Sequence, residues 1–217
     1  MTGSEDRSNV HSVGIIVGLE AEARVARRLG WPVETGGGTP EGARDAAELL
    51  IQSGVGALLS FGLAGGLDPA LRAGDVVIPA WVLEGTWRWA ADPGLAAQFG
   101  PMEGALYGGG TILATASAKR AVHLETGAVA VDLESAAVAR VAAARGVPFA
   151  VLRAICDTAA RDLPPAALAA LDARGRIGAV RVAASLIRHP GQLPALVALA
   201  RDAARARQAL RRLTANS

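Results

Sequence analysis

Short apolar runs rich in β-branched residues alternate with helical segments over most of this 217-residue chain. The runs "VGIIVGL" (13–19) and "VPFAVLRAICDTA" (147–159) are apolar at nearly every position, which is typical of strands buried on both faces. Between such runs lie amphipathic segments, the first of which ends at Gly30, as helices commonly do. This alternation predicts an α/β fold with a mixed central β-sheet that helices cover on both sides.

The same pattern predicts a single domain with an N-terminal tail. We expect residues 1–12 to form a disordered tail and residues 13–217 to form one domain that ends in a helical C-terminal tail. The "GLAGG" stretch (62–66) is predicted as a glycine-rich loop that follows a strand. Residues 86–110, rich in Gly and Trp, show no period and are predicted to be irregular.

Composition excludes several functional classes. Hydrophobic residues make up 51% and charged residues 19% of the chain, which fits a soluble protein with one large core. The net charge of +2, with no basic stripe among aromatics, does not favour nucleic-acid binding. No apolar run approaches the roughly 18 residues that a membrane span needs, and the polar start "MTGSEDRSNVHS" is unlike a secretory signal. Because Cys156 is the only cysteine, a reducing compartment fits and we expect a cytoplasmic protein.

Carboxylates stand where several predicted strands end. Glu20 and Glu22 follow the first strand, Asp132 and Glu134 end a later one, and Asp157 ends the last. Each has a simple structural explanation, because acids are favoured in the first turn of a helix and in turns. Their coincidence is more informative, since ligands of open α/β sheets bind beside the carboxyl ends of strands. We therefore expect these acids to converge on one cleft.

Such a cluster favours acid–base chemistry over a metal or cofactor site. No spacing typical of metal ligands accompanies the acids, and the histidines are scattered at His11, His123 and His189. The chain lacks the Gly-Lys-Ser/Thr of a phosphate-binding loop, the dinucleotide fingerprint and a Gly-x-Ser-x-Gly elbow. Cys156 remains open as a nucleophile, although it lies in an apolar run without a recognisable base. We predict no metal and no cofactor.

Three stretches, in this order and spacing, resemble the nucleoside phosphorylase/nucleosidase superfamily: "VGIIVGLEAE", "SFGLAGGLDPALRAGDVVIP" and "VAVDLESAAVARVAAARGVPFAVLRAICDTA". The resemblance covers residues 13–160. Within that superfamily the chain is similar to the hopanoid-associated branch, whose members are proposed to remove adenine from adenosylhopane. The short length, the "GGGT" after the first helix and the arginine-rich tail carry this second resemblance.

The resemblance implies roles for individual residues. Glu22 matches the acid that activates the attacking water, and Asp157 matches the acid that protonates N7 of the purine. Glu134 matches the glutamate that hydrogen-bonds the ribose hydroxyls. The resemblance implies substrate contacts at six positions in all: Leu63, Ala64, Gly65, Asp132, Leu133 and Glu134. It makes Cys156 a neighbour of the acid rather than a nucleophile.

The implied reaction is cleavage of the N-glycosidic bond of a 5′-substituted adenosine, with adenosylhopane as the leading substrate. Leu63 stands where many relatives place a hydroxyl, and Arg44 is only a weak candidate for the arginine that clamps phosphate, so we expect hydrolysis. Phosphorolysis, cleavage of methylthioadenosine, adenosylhomocysteine or futalosine, and non-catalytic nucleoside binding remain alternatives. The expected partners are a small nucleoside and a second copy of the chain, with a dimer favoured.

Two further segments each have two interpretations. The aromatic segment 81–107 is either ordinary packing or a wall of the site that stacks on the base or receives an apolar 5′-substituent. From Pro164 onward the pattern is helical, with a break at "RHPGQLP" (188–194). In the tail, 193–213, leucines alternate with arginines, which predicts either a helix that caps the core or a contact with anionic lipid at the inner membrane.

Overall fold

Nine strands form one mixed β-sheet in the computed structural model, which describes residues 12–170, 188 and 190–216. Residues 1–11 of the tail predicted at 1–12, which include His11, lie outside the described residues. His189 and much of the predicted C-terminal helical segment also lie outside them. The strands are β1 (Val13–Val17), β2 (Val33–Thr35), β3 (Ala57–Gly66), β4 (Val76–Val77), β5 (Trp81–Glu84), β6 (Trp87–Ala90), β7 (Ala105–Gly108), β8 (Ala130–Asp132) and β9 (Phe149–Asp157). The helices are α1 (Glu20–Ala26), α2 (Pro40–Gln52), α3 (Pro93–Ala96), α4 (Ala116–Thr126), α5 (Ser135–Arg145), α6 (Pro165–Ala170) and α7 (Leu193–Asn216).

The long strand β3 organises the sheet because two strands share one of its edges. β1 pairs parallel to it as far as Phe61, and β8 pairs antiparallel to it at Gly65 and Gly66. The carboxyl ends of β1 and β8 therefore approach each other along this edge, and they leave a gap beside residues 62–64. β9 runs parallel to β3 along the opposite edge, from Leu58 to Gly65. The functional cluster lies around this gap.

Helices pack on both faces of the sheet, as predicted. On one face, Leu58 of β3 packs with Ala47 of α2 and Val138 of α5. On the other face, Leu59 packs with Val25 of α1 and Leu210 of α7. Successive residues of β3 thus point to opposite cores, which is why its sequence is continuously apolar rather than alternating. The prediction of a mixed sheet covered on both sides is confirmed.

The "GLAGG" stretch was predicted to be a loop, and the structure corrects this. β3 continues through it to Gly66, because β9 pairs with it residue by residue as far as Ala64 and, after a one-residue shift in register, at Gly65. A side chain at Gly62 would have its Cβ only 2.6 Å from Nη1 of Arg153 and 2.7 Å from Oε1 of Glu22. The glycines here make room for side chains that cross the strand, so they do not mark a turn.

The prediction of an irregular segment at 86–110 is also wrong. It holds β6, α3 and β7, each only four residues long, which is too short for a period to be recognised. Trp87 and Trp89 of β6 stack with ring centroids 6.1 Å apart, and Phe99 packs edge-on against Trp31 at 6.3 Å. Ordinary packing accounts for Phe99, which is buried, whereas Trp87 is 66% exposed.

Candidate active site

Glu22 fills the gap beside β3 with a carboxylate. It lies in the first turn of α1, directly after β1, and it is 4% exposed. Its Oε2 accepts a hydrogen bond from the backbone N–H of Leu19 at 2.7 Å, and its Oε1 accepts one from the backbone N–H of Leu63 at 2.9 Å. On the gap side of β3 no strand pairs with Leu63. The Glu22 side chain therefore accepts the hydrogen bond from the Leu63 N–H that a neighbouring strand would otherwise accept.

Asp132 and Glu134 reach the same gap from β8. Asp132 Oδ1 accepts hydrogen bonds from the backbone N–H groups of Glu134 at 3.2 Å and Ser135 at 3.0 Å, which fixes the start of α5. Its Oδ2 accepts from the Ser135 hydroxyl and from Nε of Arg153, both at 2.5 Å. Both oxygens of Asp132 are therefore bonded within the protein, and its predicted contact with substrate remains a prediction.

Arg153 is the residue on which these acids converge, and the sequence reasoning missed it. It belongs to β9, lies opposite Gly62 of β3, and is 1% exposed. Its Nη2 donates to Oε2 of Glu134 at 3.3 Å and to the hydroxyls of Ser60 at 2.8 Å and Ser135 at 3.2 Å. A lone arginine within the apolar run "FAVLRAIC" was the available signal, because a buried charge has to be paired.

Burial changes the proton affinity of the acids. Burial raises the pKa of Glu134 to about 8, although the positive charge of Arg153 opposes this shift. Burial also raises the pKa of Glu22, again against Arg153. Burial by itself would lower the pKa of Arg153, but the surrounding carboxylates outweigh it and raise that pKa. Oδ2 of Asp132 is the nearer carboxylate oxygen to Arg153 at 2.5 Å, and Oε2 of Glu134 lies farther from it at 3.3 Å.

Glu22 and Glu134 face one common point beside Gly18. A Cβ at Gly18 would overlap Oε1 of Glu134 and would lie 3.3 Å from Oε2 of Glu22. This Glu134 oxygen is not the one that Arg153 binds. The glycine at position 18 therefore makes room for the Glu134 carboxylate to lie beside that of Glu22.

Asp157 lies on the other edge of β3, beside Gly65, and is 5% exposed. Its Oδ2 accepts a hydrogen bond from the ammonium group of Lys119, a fully buried residue of α4 that the sequence reasoning also missed. Its Oδ1 lies 3.5 Å from the Cys156 thiol, whose pKa burial and the Asp157 charge raise well above the usual value. This environment disfavours the thiolate, so Cys156 is a poor nucleophile.

A cleft of about 90 Å³ opens beside Asp157. Its walls are formed by ten residues: Gly65, Thr111, Ile112, Leu113, Lys119, Val131, Asp132, Leu133, Asp157 and Leu163. It therefore brings together three of the predicted substrate contacts with the predicted proton donor. Leu63 and Ala64 lie on the same stretch of β3, between the two acid sets.

Arg44 lies apart from these residues. It is exposed on α2, and its guanidinium binds Asp45, the next residue in the chain, at 2.8 Å. Glu20, the second acid after β1, likewise makes an exposed ion pair with Arg27 at 2.9 Å. His123 bonds through Nδ1 to the carbonyl of Ala128 at 2.8 Å, which is a structural contact at the end of α4.

Among the described residues, no three or more His, Cys, Asp or Glu side chains are grouped so that they could hold a metal ion. None of the described helices combines the length and the apolar character needed to cross a membrane.

The sequence profile of the phosphorylase superfamily matches residues 31–107 and 101–189. No curated protein sequence matches the chain. Among solved structures, it is similar to an S-adenosylhomocysteine nucleosidase from Streptococcus pyogenes in complex with 5-methylthiotubericidin, with a TM-score of 0.68 and 18% identity over 97% of this chain and 99% of that one. It is also similar to a 5′-methylthioadenosine/S-adenosylhomocysteine nucleosidase from Helicobacter pylori (TM-score 0.67, 16% identity, 97% and 100% covered). A futalosine hydrolase from the same organism matches with a TM-score of 0.61 and 19% identity over 68% of this chain and 88% of that one. At these identities the likeness shows the fold.

Proposed function

This chain belongs to the phosphorylase superfamily, and from that premise we propose that it hydrolyses the N-glycosidic bond of a 5′-substituted adenosine and releases adenine. The observation that carries the proposal is the placement of three buried acids around β3. Glu22 and Glu134 face one point beside Gly18, and Asp157 lies across the strand beside Gly65. A sugar and its base, joined by one bond, would each meet a separate acid.

The sugar side suits the growing positive charge of a ribosyl group. Glu134, through its free Oε1, accepts hydrogen bonds from the ribose hydroxyls, and these bonds strengthen as charge develops. Glu22 takes a proton from the attacking water, using the second lone pair of an oxygen that already accepts one backbone N–H. Arg153, paired with Asp132, holds Glu134 in place and is a positioning residue.

The base side supplies the proton that makes adenine a good leaving group. Asp157 gives its proton to N7, the C1′–N9 bond breaks, and its electron pair passes to the purine. The oxygen of water then bonds to C1′ while Glu22 accepts the water proton. The net change is the transfer of one proton from Asp157 to Glu22, which exchange with solvent reverses before the next turnover.

The charge of the cluster supports water rather than phosphate as the nucleophile. The buried groups comprise four acids, Glu22, Asp132, Glu134 and Asp157, and two cations, Lys119 and Arg153. In the state that the reaction requires, with Asp157 protonated and the other acids ionised, the cluster carries an excess of one negative charge, which disfavours the entry of a phosphate dianion. Arg44, the weak candidate for a phosphate clamp, is paired with Asp45 on the surface.

The test is a panel of adenosine derivatives incubated with and without phosphate, with adenine and the sugar product followed by mass spectrometry. We expect adenine and a free sugar whether phosphate is present or not. A ribosyl phosphate formed only in the presence of phosphate would replace hydrolysis with phosphorolysis. The absence of cleavage across the panel, with bound nucleoside detected by calorimetry, would leave a nucleoside-binding protein.

We propose adenosylhopane as the 5′-substituted adenosine, on the support of the sequence resemblance to the hopanoid-associated branch. The discriminating measurement is kcat/KM for adenosylhopane against methylthioadenosine and futalosine. We expect adenosylhopane to be preferred by at least tenfold. A preference for methylthioadenosine would retain the nucleosidase and remove the hopanoid assignment.

Membrane contact and dimerisation remain proposals that accompany this substrate. In α7, Ala206 and Leu210 are buried in the core, so deleting the helix would uncover that core. A better test replaces the exposed Leu193 and Val197 by Ser and measures binding to anionic liposomes. We expect weaker binding than for the unaltered chain, and unchanged binding would remove this surface from the proposal. Analytical ultracentrifugation tests the expected dimer.

A further inference from the structure

Lys119 is a buried lysine whose ammonium group makes three hydrogen bonds. It lies in the first turns of α4 and is 1% exposed. Its ammonium group donates to Oδ2 of Asp157, to the carbonyl of Thr158 at 3.0 Å and to the carbonyl of Arg161 at 3.0 Å. All three of its hydrogens are thus bonded, and each partner lies at or just after the end of β9.

The residue type at this position is itself informative. The chain has 22 basic residues, and Lys119 is the only lysine among them. Arginine is used at every other basic position, including the buried Arg153 that bridges several partners. A planar guanidinium is suited to bridging, whereas an ammonium is a compact point charge that pairs with one carboxylate. Its place beside Asp157 therefore points to a requirement for one localised charge.

We propose that Lys119 is the positioning residue of the proton donor, an inference that rests on the proposed nucleosidase reaction. It holds Asp157 by Oδ2, so that Oδ1 faces the base cleft, and its charge stabilises the carboxylate that forms when the proton leaves. A Cβ at Gly65, which lines the cleft, would lie 3.2 Å from Oδ1 and 3.5 Å from Oδ2. Because Oδ2 already accepts from Lys119, Oδ1 is the oxygen assigned to carry the proton.

The proton balance assigns Lys119 an electrostatic role. The proton on Oδ1 of Asp157 passes to N7 as the C1′–N9 electron pair enters the purine, while Lys119 keeps its three hydrogens. The neutral acid thereby becomes one half of an ion pair at the moment of bond cleavage. The Lys119 charge acts on the transition state more strongly than on the bound substrate, which is the condition for raising kcat.

The test uses substrates that differ in their need for a proton. Adenine needs protonation to leave, whereas 4-nitrophenolate leaves a 4-nitrophenyl riboside without it. We expect Lys119→Met to lower kcat on the best adenosine derivative of the panel by on the order of 100-fold, with a small change in KM. Its rate on the 4-nitrophenyl riboside should stay within about threefold of the wild-type rate. Arg120→Met, at the exposed neighbouring position of α4, is the matched control and should change neither rate.

A double-mutant cycle separates positioning from a structural role. Because Asp157 would be left buried without its cation, Lys119→Met is also combined with Asp157→Asn. If Lys119 acts through Asp157, the double variant should release adenine no more slowly than Asp157→Asn alone. Additive losses, or equal losses on both substrates, would overturn the inference.

The wild-type protein distinguishes this failure from failure of the proposed function. If the unaltered chain releases neither adenine nor nitrophenolate, the nucleosidase and the role of Lys119 fall together. If it releases both, and Lys119→Met slows both equally or neither, the nucleosidase stands and Lys119 is a structural clip between α4 and the end of β9.

Discussion

The two buried cations of the cluster differ in how they share their charge. Arg153 spreads a planar guanidinium over Asp132, Glu134 and two serine hydroxyls, whereas Lys119 directs a compact ammonium to one carboxylate, Asp157, and to two backbone carbonyls. With Glu22, the Arg153 side holds three acids and one cation, so it carries negative charge once Glu22 and Glu134 have lost their protons. The Lys119 side is balanced one to one. An excess of negative charge suits a ribosyl cation, and a balanced pair suits the release of a proton.

We expect the largest effect from replacing Asp157, the acid that pairs with Lys119. Asp157→Asn should lower kcat for adenine release by about 10³-fold or more, because an amide cannot give up a proton to N7. The amide oxygen still accepts the Lys119 hydrogen bond, so circular dichroism should show an unchanged fold. Asp45→Asn, at an exposed position, serves as the control. A wild-type rate in folded Asp157→Asn would remove this residue from the mechanism.

Replacing the buried Arg153 should lower the free energy of unfolding more than replacing an exposed arginine does. Arg153→Met leaves Asp132 buried without its cation, and we expect about 3–5 kcal/mol lower free energy of unfolding in urea titrations. Arg44→Met, which removes an exposed guanidinium, should leave the transition midpoint unchanged. Equal midpoints for the two variants would show that the Arg153 network contributes no net stability.

Glu134→Gln tests the Arg153 side, because it removes the charge of the Glu134 carboxylate and keeps the size of the side chain. We expect kcat to fall by about 100-fold with KM nearly constant, because the lost hydrogen bonds strengthen only as the ribosyl charge develops. Since the pKa of Glu134 is raised to about 8, the wild-type rate should also increase with pH up to that value. Glu41→Gln on the exposed side of α2 is the control. A higher KM with unchanged kcat would reduce Glu134 to a binding contact.

The smallest expected effect is on stability as a function of pH. Glu134 binds a proton more tightly in the folded state, with a pKa of about 8, than in the unfolded state, where its value is 4.5. Its contribution to stability is therefore complete below about pH 4.5 and is lost as the pH rises through 8. Between pH 5 and 6 this loss is about 1 kcal/mol, so the fall in Tm should be about 3 °C larger for the wild type than for Glu134→Gln, since 1 kcal/mol shifts Tm by about 2–4 °C at this size. Parallel curves would contradict the raised pKa.

The sequence predicted helices on both faces of the sheet because strands that are buried on both faces are apolar at nearly every position. The continuous apolar runs of β1, β3 and β9 can only lie between two layers of helices, and the structure has that arrangement. β2 and β6 were not predicted, because strands of three and four residues carry too few positions for a period. The loop predicted at "GLAGG" failed because glycine in a strand can mark a close approach of side chains as well as a turn.

At the candidate site, the acids could be predicted and their cations could not. Acids at strand ends form a local pattern that marks Glu20, Glu22, Asp132, Glu134 and Asp157. The family resemblance then implies roles for Glu22, Glu134 and Asp157. Arg153 and Lys119 reach these acids from β9 and α4, so their pairing depends on the register of β3 with β9 and on the packing of α4. Spacing along the chain does not encode either of these. The available signals were two unusual residue types: Arg153 is a charge within an apolar strand, and Lys119 is the only lysine of the sequence.

The hydrogen bond between the Leu63 amide and Glu22 makes hydrogen exchange at this amide a measure of ligand binding at the candidate site. Most amides of β3 are shielded from exchange with deuterated solvent by partner strands, and they open only when the sheet itself opens. The Leu63 amide, at the gap, is shielded by a side chain instead. Its exchange rate should therefore follow the charge and position of one carboxylate, and it should slow when a ligand binds beside Glu22. Deuterium uptake at this single amide would follow occupancy of the sugar side independently of turnover.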